Sequence, residues 1–320
     1  MKQNKNHLLI ALFSMGIAIS SCVDEHIKPM DTLHSMQVKV NKNLPQSRAI
    51  ITETTFPDDS RIGVTLLNTA GNEYDGVEYS NLQYAFDGTD WNVVEPHKVP
   101  LLSSTAGKAI AYYPYGETVD YTAMTIETDT QIDYLYSNWE TVNNARPEAN
   151  FTMNHALSAI RVILKKKDSY AAKAVATNIM AKSTAFVESA KINAGAAENK
   201  YSEWSTGEAD VTVPVVTKVP DATGGQILDN TTDNFTDIVV VPAEAAGTSV
   251  VFTVTIEDEN GQALNYTVDT EFTTAMVPGT IYQFTLTLDA TGFTTSSVSI
   301  IPWGDPIPSG KGDETLIPAN

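Results

Sequence analysis

Short runs of alternating apolar and polar residues make up most of the chain, and the longest spans residues 151–164, FTMNHALSAIRVIL. With a period of two, Phe151 and Leu157 point to one side, whereas Ile160 points to the other. Residues 159–164 are mostly aliphatic and β-branched, as expected for a strand buried on both faces. We therefore predict a strand here, as the spine of a first domain.

A helix is the alternative for this segment, because Leu157, Ile160 and Leu164 also fit positions i, i+3 and i+7. We favour the strand because almost every other apolar run alternates. Three lysines at 165–167 follow the apolar run, and we expect the buried strand to end at these solvated residues. For residues 168–191, the alanines and lysines fit either structure, so helix and strand are both possible predictions.

Two hairpins are marked by their turns. Asp87-Gly88 and Asn260-Gly261 each supply a residue that adopts positive φ readily, as a tight turn requires. The other predicted strands are bounded by glycine, proline, asparagine or aspartate. The strands predicted for the two hairpins are 82–86 with 91–94 and 250–256 with 264–272; the others are 36–40, 61–67, 109–113, 121–126, 132–139, 238–241, 281–288 and 297–301.

This pattern predicts an all-β protein, and 320 residues favour two domains. A polar stretch and a break at Pro45-Gln46-Ser47-Arg48 precede the first domain, and a proline- and glycine-rich tail follows the second. The predicted segments are a signal peptide (1–21), a tether with a first strand (22–48), two β-sandwiches (49–168 and 169–304) and a flexible tail (305–320).

The formal net charge of −19 sets limits on partners. Nucleic acids and anionic membrane surfaces are bound through stripes of lysine and arginine, so neither is an expected partner. The charge suits an exported, soluble surface.

The N-terminus resembles the leader of a bacterial lipoprotein. Lys2 and Lys5 precede an apolar run over residues 8–19, which is shorter than the ~18–20 residues that a membrane-spanning helix needs. Ile19-Ser20-Ser21-Cys22 then resembles a lipobox, and Cys22 is the only cysteine. We expect Cys22 to be lipidated; the alternative is an ordinary cleaved signal with a bystander cysteine.

Signals of catalysis are weak. The common metalloprotease, nucleotide-binding, redox and nucleophile-elbow motifs are absent from the sequence. His155 is the one histidine inside an apolar strand, and we interpret it as a core or strand-end residue. The acidic runs lack the spacing of a calcium loop, which favours solvated turns. We expect no enzyme activity, no cofactor and no metal.

Taken together, several stretches resemble the fimbrillin family of lipoproteins, which are subunits of type V pili. They occur in the expected order over most of the chain: Ile19 to Cys22, Ser47-Arg48-Ala49, Phe56, Arg61-Ile62-Gly63-Val64, residues 151–160, Val239-Val240-Val241-Pro242, residues 278–288, and Ser299-Ile300-Ile301-Pro302-Trp303.

The resemblance implies two transthyretin-like β-sandwich domains in tandem. It also implies lipidation at Cys22, transport to the outer membrane, and proteolysis after Arg48. The strand at 36–40 would then be released, and a strand from another pilus subunit would fill its groove. Such subunits are therefore the expected partners, together with the outer membrane through the lipid and a host protein or glycan receptor.

The tail is a mediocre donor strand because Pro306, Pro308 and Pro318 cannot donate to a ladder. This favours a tip or accessory position in a fimbrium over a stalk position. The alternative function is a surface glycan- or protein-binding lipoprotein that does not polymerise, for which Trp91, Trp139 and Trp204 are candidate stacking residues. An exported hydrolase is a third class and would need convergent carboxylates or a histidine pair in a cleft.

Overall fold

The computed structural model describes residues 32–41, 56–198, 200–205, 208–214, 224–231, 235–242, 248–272 and 274–303. In this part of the chain every regular element is a strand, and there is no helix that could cross a bilayer. The predicted signal peptide and tail, with Cys22 and Arg48, lie outside the described residues.

The strands are numbered in chain order. They are β1 (His34–Ser35), β2 (Gln37–Asn41), β3 (Arg61–Asn68), β4 (Tyr79–Phe86), β5 (Trp91–Val93), β6 (Leu101–Leu102), β7 (Gly107–Tyr113), β8 (Met124–Glu127), β9 (Leu135–Ser137), β10 (Glu140–Val142), β11 (Glu148–His155), β12 (Ser158–Lys166), β13 (Val175–Val187), β14 (Ser189–Ile192), β15 (Tyr201–Ser202), β16 (Glu208–Pro214), β17 (Gln226–Ile227), β18 (Phe235–Pro242), β19 (Ser249–Glu257), β20 (Ala263–Glu271), β21 (Thr280–Asp289) and β22 (Gly292–Pro302).

Two large sheets follow one another along the chain. The first has the order β2-β11-β9-β7-β3-β4-β5, with β10 beside β7, and it curls so that its edge strands β2 and β5 contact each other. The second has the order β20-β19-β13-β18-β12-β21-β22, with β16 and β17 beside β13, and its edges β20 and β22 also make contact. The predicted all-β fold with two sandwiches in tandem is confirmed.

Each sheet encloses its own apolar core. The first core contains Ile62, Val64, Leu66, Tyr84 and Phe151, and the second contains Ile160, Phe186, Phe252, Phe284 and Leu286. A third buried cluster, the junction cluster, lies between the sheets. Its members come from both halves of the chain: Tyr112, Met124, Ile126, Tyr134, Ala156, Leu157, Ala159, Val187, Ala190, Ile192, Val239, Val241, Ile281, Ile301 and Trp303.

The predicted strand at 151–164 is two strands in two sheets. β11 pairs with β2 and β9 in the first sheet, whereas β12 pairs with β18 and β21 in the second. Thus β12 lies within the predicted first-domain range of 49–168 but shares a sheet with later strands. The period-two pattern hides this change because the connecting residues, Ala156 and Leu157, are themselves fully buried in the junction cluster.

The region 168–191, for which the sequence left helix and strand both possible, forms β13 rather than a helix. β13 is a long interior strand of the second sheet. β13 pairs with β19 along one edge and with β16 along the other. Small residues such as Ala176 and Ala181 are fully buried in the second core. Alanine therefore serves here as a packing residue, despite its low strand propensity.

Both predicted hairpins are present, and an aspartate side chain stabilises the turn of each. In the first, Asp87 Oδ1 accepts the N–H groups of Asp90 and Thr89 at 2.8 and 2.9 Å, which lowers the pKa of this carboxyl. Gly88 takes φ of +92°. Asp258 plays the same part before Gly261 in the second hairpin.

One ion pair is buried inside the second sheet. Arg161 on β12 donates from Nε and Nη2 to the two carboxylate oxygens of Asp237 on β18, at 2.7 and 2.8 Å. Both side chains are at most 2% exposed, and the guanidinium lies 4.0 Å from the Phe235 ring centroid. Each charge therefore depends on the other for its solvation.

We predict that Asp237→Ala lowers the free energy of unfolding by about 3–5 kcal/mol, because it leaves the Arg161 charge buried without its carboxylate. The measurement is urea unfolding followed by circular dichroism. The matched control is Lys182→Ala, which breaks an exposed pair with Asp210 and should cost at most about 1 kcal/mol. Equal unfolding midpoints for Asp237→Ala and the parent would contradict the prediction.

Candidate functional site at the N-terminal edge strand

The first strand of the first sheet closes its core from the edge. β2 runs parallel to β11, with Gln37 opposite Glu148 and Asn41 opposite Thr152. The alternation around β2 places Met36 and Val38 in the first core, at 3% and 6% exposure. The prediction of a strand at 36–40 is therefore confirmed, and it is seated in the first sandwich.

The segment before β2 is also bound to the first sandwich. β1 pairs with β6, and the Met36 and Gln37 N–H groups donate to the carbonyls of Pro100 and Pro147, each at 2.8 Å. The Asn144 side chain donates to the Thr32 carbonyl at 2.9 Å. Residues 32–41 thus enter the fold as a continuous ribbon held by backbone contacts.

An exposed ion pair marks the outer side of this ribbon. Lys39 on β2 contacts the carboxylate of Glu148 on β11. The hydrogen bond from Lys39, followed by that from Asn150, lowers the pKa of Glu148. The depressed pKa means that this contribution to stability is present above the ordinary pKa of glutamate and is lost as the pH falls. Since the pair is solvated, its share is small beside apolar burial.

Burial and backbone pairing therefore hold β2 in place. Burying a side chain such as Met36 or Val38 contributes about 1.5–3 kcal/mol each. Removing β2 would uncover the edge of β11 together with the neighbouring core residues Ala149 and Phe151. An unpaired edge beside an open core is a template for another extended strand with alternate apolar residues.

The residues predicted to undergo covalent processing flank this ribbon in sequence. Cys22 lies ten positions before Thr32, and Arg48 lies seven positions after Asn41. Both are outside the described residues, so lipidation and cleavage stay predictions. Cleavage after Arg48 would separate β1 and β2 from the rest of the chain.

His155 lies at the end of β11, buried in the region between the sheets. Its Nδ1 is 2.8 Å from Asp133 Oδ1, and its ring stacks on Trp303 with centroids 4.1 Å apart. The sequence interpretation of a strand-end core histidine agrees with this position. Asp133 was not recognised in the sequence, because a single aspartate before an apolar run resembles any strand boundary.

Among the described residues, no group of three or more histidine, cysteine, aspartate or glutamate side chains is arranged to hold a metal ion. The buried charged residues there form the pairs Arg161–Asp237 and His155–Asp133. The geometry best suited to an interaction is the edge of the first sheet at β2.

Comparison with known proteins agrees with this architecture. A family model described as fimbrillin-like matches residues 47–303. The structure of a candidate cell adhesion protein from Bacteroides uniformis is 18% identical, covers 86% of this chain and 100% of its own, and has a TM-score of 0.58. One from Bacteroides ovatus is 16% identical, covers 85% and 98%, and has a TM-score of 0.60. At these sequence identities, the similarity to the two structures concerns the fold alone. No curated protein matches the chain.

We predict that Val38→Asp releases β2 from the first core, because a carboxylate at this buried site would lack a partner, at a cost of roughly 2–5 kcal/mol. Hydrogen–deuterium exchange should then rise in β11, the strand that β2 covers, and stay unchanged in β19 and β21. The control is Gln37→Asp, the same change at the adjacent exposed position. Equal protection of β11 in both variants would show that β2 does not close this core.

Proposed function

Because this chain belongs to the fimbrillin-like family, we propose that it is a non-enzymatic, surface-anchored subunit of a type V pilus, in a tip or accessory position, that contributes to adhesion. The observation that carries the proposal is the position of β2 at the edge of the first sheet. A strand that precedes the predicted cleavage site fills the edge of the first core with Met36 and Val38. Its contacts with β11 are backbone hydrogen bonds and side-chain packing, so cleavage after Arg48 would leave no covalent link between β2 and the first sandwich.

In the proposed assembly route, lipidation of Cys22 first anchors the precursor in the outer membrane. Proteolysis after Arg48 then detaches the segment that contains β1 and β2. The vacated groove beside β11 accepts an extended strand from another subunit through backbone hydrogen bonds and alternate apolar side chains. Such a contact joins different surfaces of successive subunits, so it need not close and can extend a filament.

The sequence that follows Trp303 supports the terminal position. The segment 305–320 contains Pro306, Pro308 and Pro318, and its larger apolar residues are sparse. Proline removes a ladder donor, so this segment is a poor strand to offer to a neighbour. A subunit that accepts a strand but offers a poor one fits the end of a fimbrium or an accessory position.

Processing at Arg48 is tested by the N-terminal sequence of the surface form. In a native-like host we expect the mature chain to begin at Ala49, and the Arg48→Ala variant to keep Cys22 as its first residue. The matched control is Lys42→Ala, which removes a cation from the same stretch and should leave processing unchanged. A parent chain that always begins at Cys22 would count against proteolytic assembly.

Lipid anchoring is tested separately. We expect Cys22→Ser to lose palmitate labelling and to move the precursor from the membrane fraction to the soluble fraction, since Cys22 is the only thiol available. Ser20→Ala, two positions earlier, should keep both the label and the membrane association. Continued labelling of Cys22→Ser would show that the lipid is attached elsewhere.

A further inference from the structure

Five half-buried aromatic rings gather around one turn at the rim of the junction cluster. Of the four tryptophans of the chain, Trp91 and Trp303 are buried, whereas Trp139 and Trp204 are partly open to solvent. Both partly open tryptophans lie in this group. We call it the aromatic patch; its members are Tyr121, Tyr136, Trp139, Tyr201 and Trp204.

The rings of the patch are held in place from beneath. Except for Trp139, all of them pack against the junction cluster. The Trp139 indole N–H donates to the Gly195 carbonyl at 2.9 Å, and the Tyr201 hydroxyl donates to the Ala156 carbonyl at 3.2 Å. Because these polar atoms are engaged with the protein, the rings present apolar surface to solvent in a fixed orientation.

Ring-to-ring contacts add to this order. Tyr201 and Trp204 stack at 5.6 Å with an interplanar angle of 17°, and Tyr121 meets Trp139 edge-on at 5.7 Å. Gly195 allows the close approach, since a Cβ there would lie 2.9 Å from Tyr121 Cε2 and 3.1 Å from Trp139 Cζ2. Such pre-organisation lowers the entropic cost of binding a ligand.

Two ammonium groups lie over the patch. Lys108 Nζ is 4.8 Å from the centroid of Trp139, and Lys200 Nζ is 5.0 Å from that of Tyr136. Burial lowers the pKa of Lys200, which also donates to the Ala194 carbonyl at 3.0 Å. In the part of the chain that the structure describes, neither ammonium pairs with a carboxylate, unlike those of Lys39, Lys167, Lys182 and Lys191.

Two lysines without a carboxylate partner among the described residues thus lie beside half-buried rings, on a chain whose net charge is −19. Among the carboxylates near the patch, Glu203 is engaged by Lys191, and Asp120 adjoins Tyr121 in sequence. Burial, followed by the charge of Asp120, raises the pKa of Tyr121. The local arrangement thus combines flat apolar faces with a positive charge that is still available. These are complementary to the C–H faces of a sugar ring and to an acidic substituent on it.

We propose that the aromatic patch binds an anionic polysaccharide. Sugar rings lie against the open surfaces of Trp204 and Trp139, and a carboxylate or sulfate group approaches Lys108. An acidic peptide would satisfy the lysines but offers no repeated flat C–H face to the rings, so we favour the saccharide. The patch contains no residue of β2, and this inference does not require that the chain polymerises.

The test measures binding of the immobilised full chain to polygalacturonate and chondroitin sulfate, with neutral dextran and polyglutamate as comparison ligands. We expect one or both anionic polysaccharides to bind, with an affinity that falls as salt rises, and dextran and polyglutamate to bind more weakly. Trp204→Ala should weaken binding by about tenfold and Lys108→Gln by about threefold to tenfold. Bound polysaccharide should also protect tryptophan fluorescence from iodide quenching.

Matched controls separate the patch from general effects. Lys98→Gln removes an exposed lysine elsewhere, and Tyr170→Ala removes a half-buried tyrosine that packs against the second core. Neither should change the affinity. If Trp204→Ala fails to fold, Lys108→Gln and the quenching measurement still decide the matter. Absence of binding to both anionic polysaccharides, equal binding of dextran, or stronger binding of polyglutamate would each overturn the proposal.

Discussion

The change from one sheet to the next within two residues is the constraint on which the rest of this structure depends. β11 and β12 are consecutive, yet they belong to different sheets, and the link between them, Ala156 and Leu157, is fully buried. A buried link must have its backbone groups paired. The Ala156 N–H donates to Tyr134, and the Leu157 carbonyl accepts from Gly279. The two sandwiches are therefore joined by a packed core.

Strands from both halves of the chain reinforce this junction. β8, which lies in sequence between β7 and β9 of the first sheet, pairs with β14 from the second half. The Thr128 hydroxyl accepts from the Val241 N–H at 2.9 Å, and the side-chain carbonyl of Gln131 accepts from the Val239 N–H at 3.1 Å, so side chains supplement the short pairing of β18 with β13. In the proposed assembly, β2 is the edge strand whose place is taken by a strand of another subunit.

Local chemistry allowed much of the fold to be predicted from the sequence. The Asp-Gly and Asn-Gly turns, and the alternation in β2 and β21, depend on residues close together in the chain. The crossover between β11 and β12 could not be predicted in this way, since burial continues across it and leaves no break in the pattern. The partners Asp133 and Asp237 were also missed, because a pairing with His155 or Arg161 depends on register between distant strands. For the same reason, sequence indicated Trp139 and Trp204 as separate candidates but not their common location.

The position of β2 at the edge of its sheet, and before every other strand of that sheet, has a kinetic consequence. A central strand can leave a sheet only if two neighbours separate, whereas β2 has one ladder partner, β11. The activation barrier to the departure of β1 and β2 therefore involves a local opening along β6 and β11, while the strands β3, β4 and β7 at the centre of the first sheet keep their pairing.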